Sequence, residues 1–110
     1  MSGSPSAPPP IRPGGGGPDG PNCDLRFRTQ LASPVAAVVG GLVAGGDLVI
    51  ELEDAGGVQV IVAKTTAGAI AGSIVDNVGQ LIRCIQRGNT YGATIDAVVG
   101  GAVTIDVART

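Results

Sequence analysis

Four arginines have the spacing of an anion-binding site. Arg83 and Arg87 lie one helical turn apart in the stretch NVGQLIRCIQRGNTY, and Arg26 and Arg28 alternate along LRFRTQL. A guanidinium group binds a phosphate or a carboxylate through charge-assisted hydrogen bonds. If the two stretches lie side by side, the four arginines form one basic patch, and this is the binding site that we predict. Two structural explanations compete with it: cations stabilise the C-terminal end of a helix, and outward charges protect an edge strand.

The other polar side chains lack the partners that catalysis requires. The chain has no histidine, so no imidazole base is present to activate a serine nucleophile. A strip of carboxylates is formed by Asp47, Glu51, Glu53 and Asp54. It lacks the ligand spacing and the closing glutamate of a calcium loop, and nothing indicates a cleft that would shift two carboxyl pKa values apart. The sequence therefore predicts a protein that is not an enzyme and binds no metal and no cofactor.

The two cysteines are predicted to be reduced thiols. Cys23 lies at the boundary of a Pro/Gly-rich segment, and Cys84 falls on the apolar side of the predicted helix. Two cysteines in a protein kept inside the cell are more often unpaired than joined. A disulfide between them is the alternative, whereas a zinc site would need further cysteine or histidine ligands.

Composition predicts a tail and a single domain. Residues 1–22 hold seven of the eight prolines and six glycines, and such a segment cannot bury enough apolar surface to offset its ordering entropy. We therefore expect a disordered tail over residues 1–22 and one domain over residues 23–110. The core of that domain must be aliphatic, because the chain has one phenylalanine, one tyrosine and no tryptophan.

The net charge and hydropathy of the chain argue against a polyanion or a membrane as its partner. The net charge of −2 removes the usual electrostatic drive toward a polyanion. No apolar run is long enough to cross a bilayer, and the N-terminus has no basic region followed by an apolar stretch. We therefore expect a soluble, cytoplasmic protein without membrane contact.

The first half of the domain has the pattern of a strand, a helix and two strands. LRFRTQL alternates like a half-buried strand. SPVAAVVGGL follows, with Ser33 as the expected N-cap and Pro34 at the first helical position. DLVIELE and VQVIVAK then alternate on either side of a glycine turn, which predicts a hairpin with Val58, Val60 and Val62 on a common face.

The second half repeats this order. AGAIAGSIV reads as a strand, and a helix capped by Asp76 or Asn77 follows and ends at Gly88 and Asn89. TYGATIDAVV and AVTIDVART form another hairpin around a glycine pair. The doubled order predicts an α+β domain that is mainly β: a small six-stranded, barrel-like sheet with two short helices, each closing one end. The stretch AVVGG occurs at residues 37–41 and 97–101, but the copies fall in different elements and indicate no sequence repeat.

Residues 46–101 resemble a known family. Gly46-Asp47, Val60 to Val62, Ala69 to Ile74 and Leu81 to Gly88 follow one another in the order seen in the core of a HIRAN domain. The resemblance implies a small β-barrel that binds single-stranded DNA ends. The family's acidic-aromatic loop is missing where DAGGVQVIVA stands, and only Phe27 and Tyr91 are available to stack on bases. The doubled order of elements equally resembles cradle-loop barrels such as the double-psi type, which often serve as oligomeric or binding modules.

Two functional hypotheses follow. The first is a non-catalytic binding or adaptor module that contacts a protein partner, or a second copy in a homo-oligomer, through an exposed sheet edge or an apolar patch. The alternative is HIRAN-like binding of single-stranded nucleic acid or another phosphate ligand through Arg26, Arg28, Arg83 and Arg87.

Overall fold

The computed structural model describes residues 23–110, and the predicted tail, residues 1–22, lies outside the described part. The described elements are β1 (Arg26–Gln30), α1 (Ala36–Val39), β2 (Asp47–Ala55), β3 (Val58–Lys64), β4 (Ile70–Ile74), α2 (Val78–Gln86), β5 (Tyr91–Val99) and β6 (Ala102–Arg109). The predicted order, strand, helix and two strands repeated once, is therefore confirmed. No helix within residues 23–110 is long and apolar enough to cross a membrane.

All six strands belong to one antiparallel sheet in the order β1-β6-β5-β2-β3-β4. Both predicted hairpins, β2–β3 and β5–β6, are present. The pair Gly100-Gly101 that connects β5 to β6 has φ angles of 58° and 87°. A two-residue turn with both φ angles positive matches the right-handed twist of the flanking strands, which explains why glycines occupy it.

The two edges of the sheet meet at one point. Beyond β1, the amide of Leu31 still bonds to the carbonyl of Val103 on β6 at 2.9 Å. The next residue, Ala32, exchanges two hydrogen bonds of 2.8 Å with Ser73 on β4. The amide of Val35 then bonds to Ala71 at 2.8 Å. The chain thus passes from one edge strand to the other, but β1 itself has no ladder with β4 and the sheet is not closed into a barrel.

The core occupies the inner face of this sheet. Along β6 the side chains of Val103, Ile105 and Val107 are fully buried, while the residues between them are partly exposed. Burying such a side chain stabilises the fold by about 1.5–3 kcal/mol. The same core holds Leu48, Ile50, Ile61, Ala63, Ile74, Leu81, Tyr91, Ala93 and Ile95. Val58, Val60 and Val62 do share a face, but it is the outer one, because Ile61 and Ala63 take the core side of β3.

The helix over residues 33–42 is shorter than predicted, and its predicted N-cap is wrong. Ser33 has a φ of 47°, and the helix begins only at Ala36, with Val35 extended at the N-cap position and no side-chain capping bond. The cause is the contact with β4, since the hydrogen bond from Val35 to Ala71 holds the backbone extended up to that point.

The second helix begins and ends near the predicted positions. Asn77 is the N-cap residue, in a left-handed conformation without a side-chain capping bond. Asp76 instead accepts a hydrogen bond from the hydroxyl of the buried Thr29 on β1. At the other end Gly88, with a φ of 102°, bonds to the carbonyl of Ile85, and Asn89 bonds to that of Cys84. These are the two hydrogen bonds of a Schellman C-cap.

The prediction of two reduced thiols is wrong. Cys23 and Cys84 form a disulfide with a Cα–Cα distance of 5.4 Å, and both side chains are buried. Cys84 lies on the core side of α2, and Cys23 lies in the segment that enters β1. The hydroxyl of Tyr91 donates a hydrogen bond to the carbonyl of Cys23. The disulfide therefore ties the beginning of the described chain to α2 beside the first residue of β5.

Candidate functional site

The two arginines of the first strand lie on the outer face of the sheet. Arg28 is opposite Asp106 in the ladder with β6, and its guanidinium lies 3.7 Å from that carboxylate and 3.8 Å from Asp96. Exposed ion pairs of this kind contribute about 0–1 kcal/mol, but they do neutralise the local charge. Arg26 faces Ala108 and has no carboxylate opposite it. Of this pair, Arg26 is the side chain whose charge is available to a ligand.

The two arginines of the second helix are also exposed. Arg83 lies in the last turn of α2 and Arg87 at its C-cap. Neither forms an ion pair with the described residues. The disulfide places α2 beside the segment that enters β1. Arg26 and Arg28 are exposed on β1, and α2 packs on the core through Leu81 and Cys84. Ligand binding by these arginines stays a prediction.

Three of the four carboxylates of the acidic strip have structural partners. Lys64 lies 3.0 Å from Glu51 and also pairs with Glu53, with its own side chain 19% exposed. Hydrogen bonds to Glu53 and Glu51 raise the pKa of Lys64 above its usual value of 10.5. Asp54 accepts a hydrogen bond of 2.8 Å from the amide of Gly57 in the hairpin turn. Among the described residues no group of three or more acidic or cysteine side chains could hold a metal ion.

A shallow depression of about 230 Å³ lies on the outer face where β2, β5 and β6 run together. Its floor includes Gly92 and Ala108, and its rim carries Asp47, Thr94 and Asp106. Asp106 is the carboxylate already paired with Arg28. The depression therefore offers small polar contacts but no cluster of groups suited to one reaction.

The most distinctive surface is an apolar groove of about 360 Å³ between α1 and the end of the β5–β6 hairpin, which we call the α1–β5 groove. Its lining residues are Pro34, Ala36, Val39, Gly40, Leu42, Val98 and Gly101. None of them can ionise. The two segments that supply them, residues 33–46 and 97–105, contain no charged residue. Such an uncharged, concave surface is suited to apolar side chains of a partner and not to acid–base chemistry.

The groove runs beside a free strand edge. The ladder between β2 and β5 ends at the pair Asp47–Thr94. Gly45 and Gly46 then bond to Ile95, at 2.7 and 2.8 Å. Beyond Ile95, residues 97–99 of β5 pair only with β6. Their other edge, next to Val98 in the groove, has no strand partner within residues 23–110.

Exposed valines adjoin this edge. Val99 is 72% exposed and Val43 is 67% exposed, and each directly follows a residue that lines the groove. Val99 points to the face of the sheet opposite to Val98, because successive side chains of a strand alternate.

The groove was missed in the sequence, although a signal for it exists there. The two AVVGG copies each supply groove residues: Val39 and Gly40 come from the first, and Val98 and Gly101 from the second. One copy forms a helix and the other a strand and its turn. Both copies line the groove because they have the same small, apolar composition, and they are not a structural repeat.

Comparisons with protein-family models, with curated proteins and with solved structures found no match for this chain. The HIRAN resemblance is therefore not tested by them.

Proposed function

We propose that residues 23–110 form a single non-catalytic, barrel-like binding domain that holds an extended apolar segment of a protein partner in the α1–β5 groove. The observation that carries this proposal is the position of the groove next to the unpaired edge of residues 97–99. The barrel-like character is supported by the hydrogen bonds that join Ala32 to Ser73 across the two edges of the sheet.

The arrangement supports binding by strand addition. In that mode the partner's backbone bonds to a free edge, and its alternate side chains enter pockets beside the strand. Here the free edge of β5 supplies the N–H and C=O of Val98, because Ala97 and Val99 direct theirs to Thr104 and Ala102 of β6 across the two-residue hairpin. The groove receives the side chains. Apolar area removed from water contributes about 25 cal/mol per Å², so the groove provides the energy and the edge fixes the orientation.

Selection of peptides from a random displayed library on the disulfide-intact protein tests this function. The selected peptides are expected to be apolar and extended, and to shift the backbone amide resonances of Ala97 to Val99 and of α1. Val99→Asp is expected to weaken their binding at least tenfold. Val58→Asp is the matched control, because Val58 is 62% exposed beside the other hairpin turn. The proposal fails if no peptide binds, or if the two variants bind equally well.

A second candidate function is binding of single-stranded nucleic acid or another phosphate ligand, as the HIRAN resemblance implies. It is favoured by the exposure of Arg26, Arg83 and Arg87, none of which forms an ion pair with the described residues. Phosphate binding weakens steeply with salt, by a slope that reports the number of contacts. Titration of a labelled oligonucleotide at two salt concentrations tests it, and absence of binding at the lower concentration would exclude it.

The disulfide bears on where this function operates. Disulfides persist mainly in oxidising compartments and are rare in the cytosol, and the Cys23–Cys84 bond is buried within the core. It supports a protein that works in an oxidising environment, against the cytoplasmic location expected from the sequence.

A further inference from the structure

We infer that the partner in the α1–β5 groove is a second copy of this chain, which pairs its own β5 edge with this one about a twofold axis. The inference rests on the proposed function, because it uses the same groove and the same edge. It assigns the partner, which the proposed function leaves open.

The first argument is the lack of protection on this edge. Natural proteins protect free strand edges with charged residues. The outer edge strand β1 carries Arg26 and Arg28, and the half of β2 that extends beyond β5 carries Glu51, Glu53 and Asp54. The edge of β4 is partly covered by the bonds from Ala32 and Val35. Residues 97–99 of β5 carry no charge and no proline, so this edge lacks the charged residues that protect β1 and β2, and its bulge lies before residue 97, between Ile95 and Ala97.

The second argument is geometric. A twofold axis at Val98 places Val98 opposite its counterpart in the second copy, in antiparallel pairing. Ala97 then faces Val99 of the other copy, and Asp96 faces Gly100. Because twofold pairing uses the same edge on both copies, it closes and stops at two. The exposed Val99 of each copy then lies opposite Ala97 of the other copy, on the face of the sheet away from Val98.

The third argument is electrostatic. Each copy carries a net charge of −2, so two copies must meet where their charges do not approach. Residues 33–46 and 97–105 supply such a region. The nearest carboxylate, Asp96, faces a glycine in this register and already pairs with Arg28 of its own chain. Pairing through β1 would instead bring arginines together, and pairing through β2 would bring carboxylates together.

The N-terminal segment of the same chain is a poorer occupant of the groove. Seven of its 22 residues are prolines. Proline has no backbone N–H to donate to a strand edge, so this segment is unsuited to pair with residues 97–99. The contact between two copies is small, and small interfaces are weak and transient. The association is therefore concentration-dependent.

Sedimentation equilibrium of the full-length, oxidised protein over a wide concentration range tests the inference. We expect a monomer–dimer equilibrium that holds or strengthens as salt is raised, since apolar contacts are not screened. Val99→Asp is expected to weaken the dimer at least tenfold, and Val58→Asp is expected to leave it unchanged. A wild-type protein that stays monomeric at every concentration overturns the inference, as does equal weakening by both variants.

A mixing experiment tests the register and does not depend on a single variant. Chains with Val99→Asp and chains with Ala97→Lys are each expected to dimerise poorly alone. In a mixture, the proposed pairing puts the new aspartate of one chain opposite the new lysine of the other, so the mixture is expected to dimerise more tightly than either variant does. Circular dichroism establishes that both variants are folded. A mixture no tighter than its components contradicts this register.

The failure of this inference and the failure of the proposed function have different signatures. If the protein is monomeric but selected peptides bind and Val99→Asp abolishes their binding, the groove is a docking site for another protein and only the inference is wrong. If neither a second copy nor any peptide binds, both are wrong.

Discussion

Cys23 and Cys84 are joined by a disulfide across a sequence separation of 61 residues, with both side chains in the aliphatic core. In the chain-entropy account, a crosslink that closes a loop of this length stabilises the fold by about 4 kcal/mol, because it restricts the unfolded chain. The bond also fixes the position of the segment that precedes β1.

Removal of the disulfide is expected to lower the free energy of unfolding by about 4 kcal/mol. The measurement is urea unfolding of the oxidised protein and of the double variant Cys23→Ser, Cys84→Ser. A reductant should reproduce the loss in the wild-type protein and leave the double variant unchanged. A wild-type midpoint that does not move on full reduction would contradict a stabilising role for this bond.

The contact between Thr29 and Asp76 joins β1 to the start of α2. Thr29→Val keeps the shape of the side chain and removes the donor, so the carboxylate loses a partner in a partly buried place. A hydrogen bond to a charged group contributes about 1.5–3 kcal/mol, and we expect a loss near the lower value because Asp76 is exposed. Thr29→Ser retains the hydroxyl and should lose less. Equal stability of the valine variant and the wild type in urea would exclude a contribution from this bond.

Gly72 lies where the two edges of the sheet approach. A Cβ atom there would be 3.0 Å from the carbonyl oxygen of Ala32 and 3.0 Å from the Cβ of Leu31. Gly72→Ala is therefore expected to push the edges apart and to destabilise the fold by about 1–3 kcal/mol, as overpacking does.

Gly79→Ala is the matched control for that substitution. Its nearest neighbour would be a side-chain atom of Arg83 at 3.6 Å, and Gly79 lies within α2. Alanine is a better helix former than glycine by up to about 1 kcal/mol, so this variant should be slightly more stable than the wild type. Thermal unfolding of both variants distinguishes them, and destabilisation by Gly79→Ala as large as that by Gly72→Ala would refute the steric explanation.

Tyr91 gives a pH-dependent signal that can be read directly. Burial raises the pKa of its phenol above the usual value of 10.0. Because the chain contains one tyrosine and no tryptophan, the absorbance of phenolate reports this group alone, and its midpoint is expected above 10.0 in the folded protein and near 10.0 in urea.

The stability consequence of that pKa follows from proton linkage. The folded state binds the phenolic proton more tightly than the unfolded state does. Tyr91 therefore contributes to the free energy of unfolding below pH 10.0, and this contribution is lost as the pH rises through the folded pKa. Tyr91→Phe should remove the part of the stability loss at alkaline pH that is due to Tyr91. The part due to the raised pKa of Lys64 should remain. An unchanged pH profile in the phenylalanine variant would contradict the assignment.

The period of the apolar residues was sufficient to predict most of the fold. Alternation along DLVIELE and AVTIDVART and the helical stripe from Val78 to Ile85 correspond to β2, β6 and α2, because burial on one side imposes those periods. The start of α1 was not predictable in this way. Ser33 and Pro34 are good helix-start residues, but Val35 bonds to Ala71, a residue 36 positions later in the sequence, and this contact overrides the local preference.

The candidate sites depend more strongly on tertiary structure than the strands and helices do. Arg26 and Arg83 could be identified by type and spacing, whereas their position relative to each other depends on how α2 packs on the sheet. The disulfide partner of Cys84 and the groove around Val98 are defined by residues far apart in sequence. Local sequence patterns contain no information about contacts between residues that are so far apart in sequence.

The pairing of β1 with β6 has a consequence for how the protein is made. Arg26 is opposite Ala108, so β1, the first of the described strands, receives its ladder partner only when β6, the last of them, has been synthesised. Until then, Phe27 and Leu31 lack the apolar surface against which they pack. Contacts between distant parts of a chain slow folding, so the pairing of β1 with β6 is expected to be one of the slow steps in the formation of this sheet.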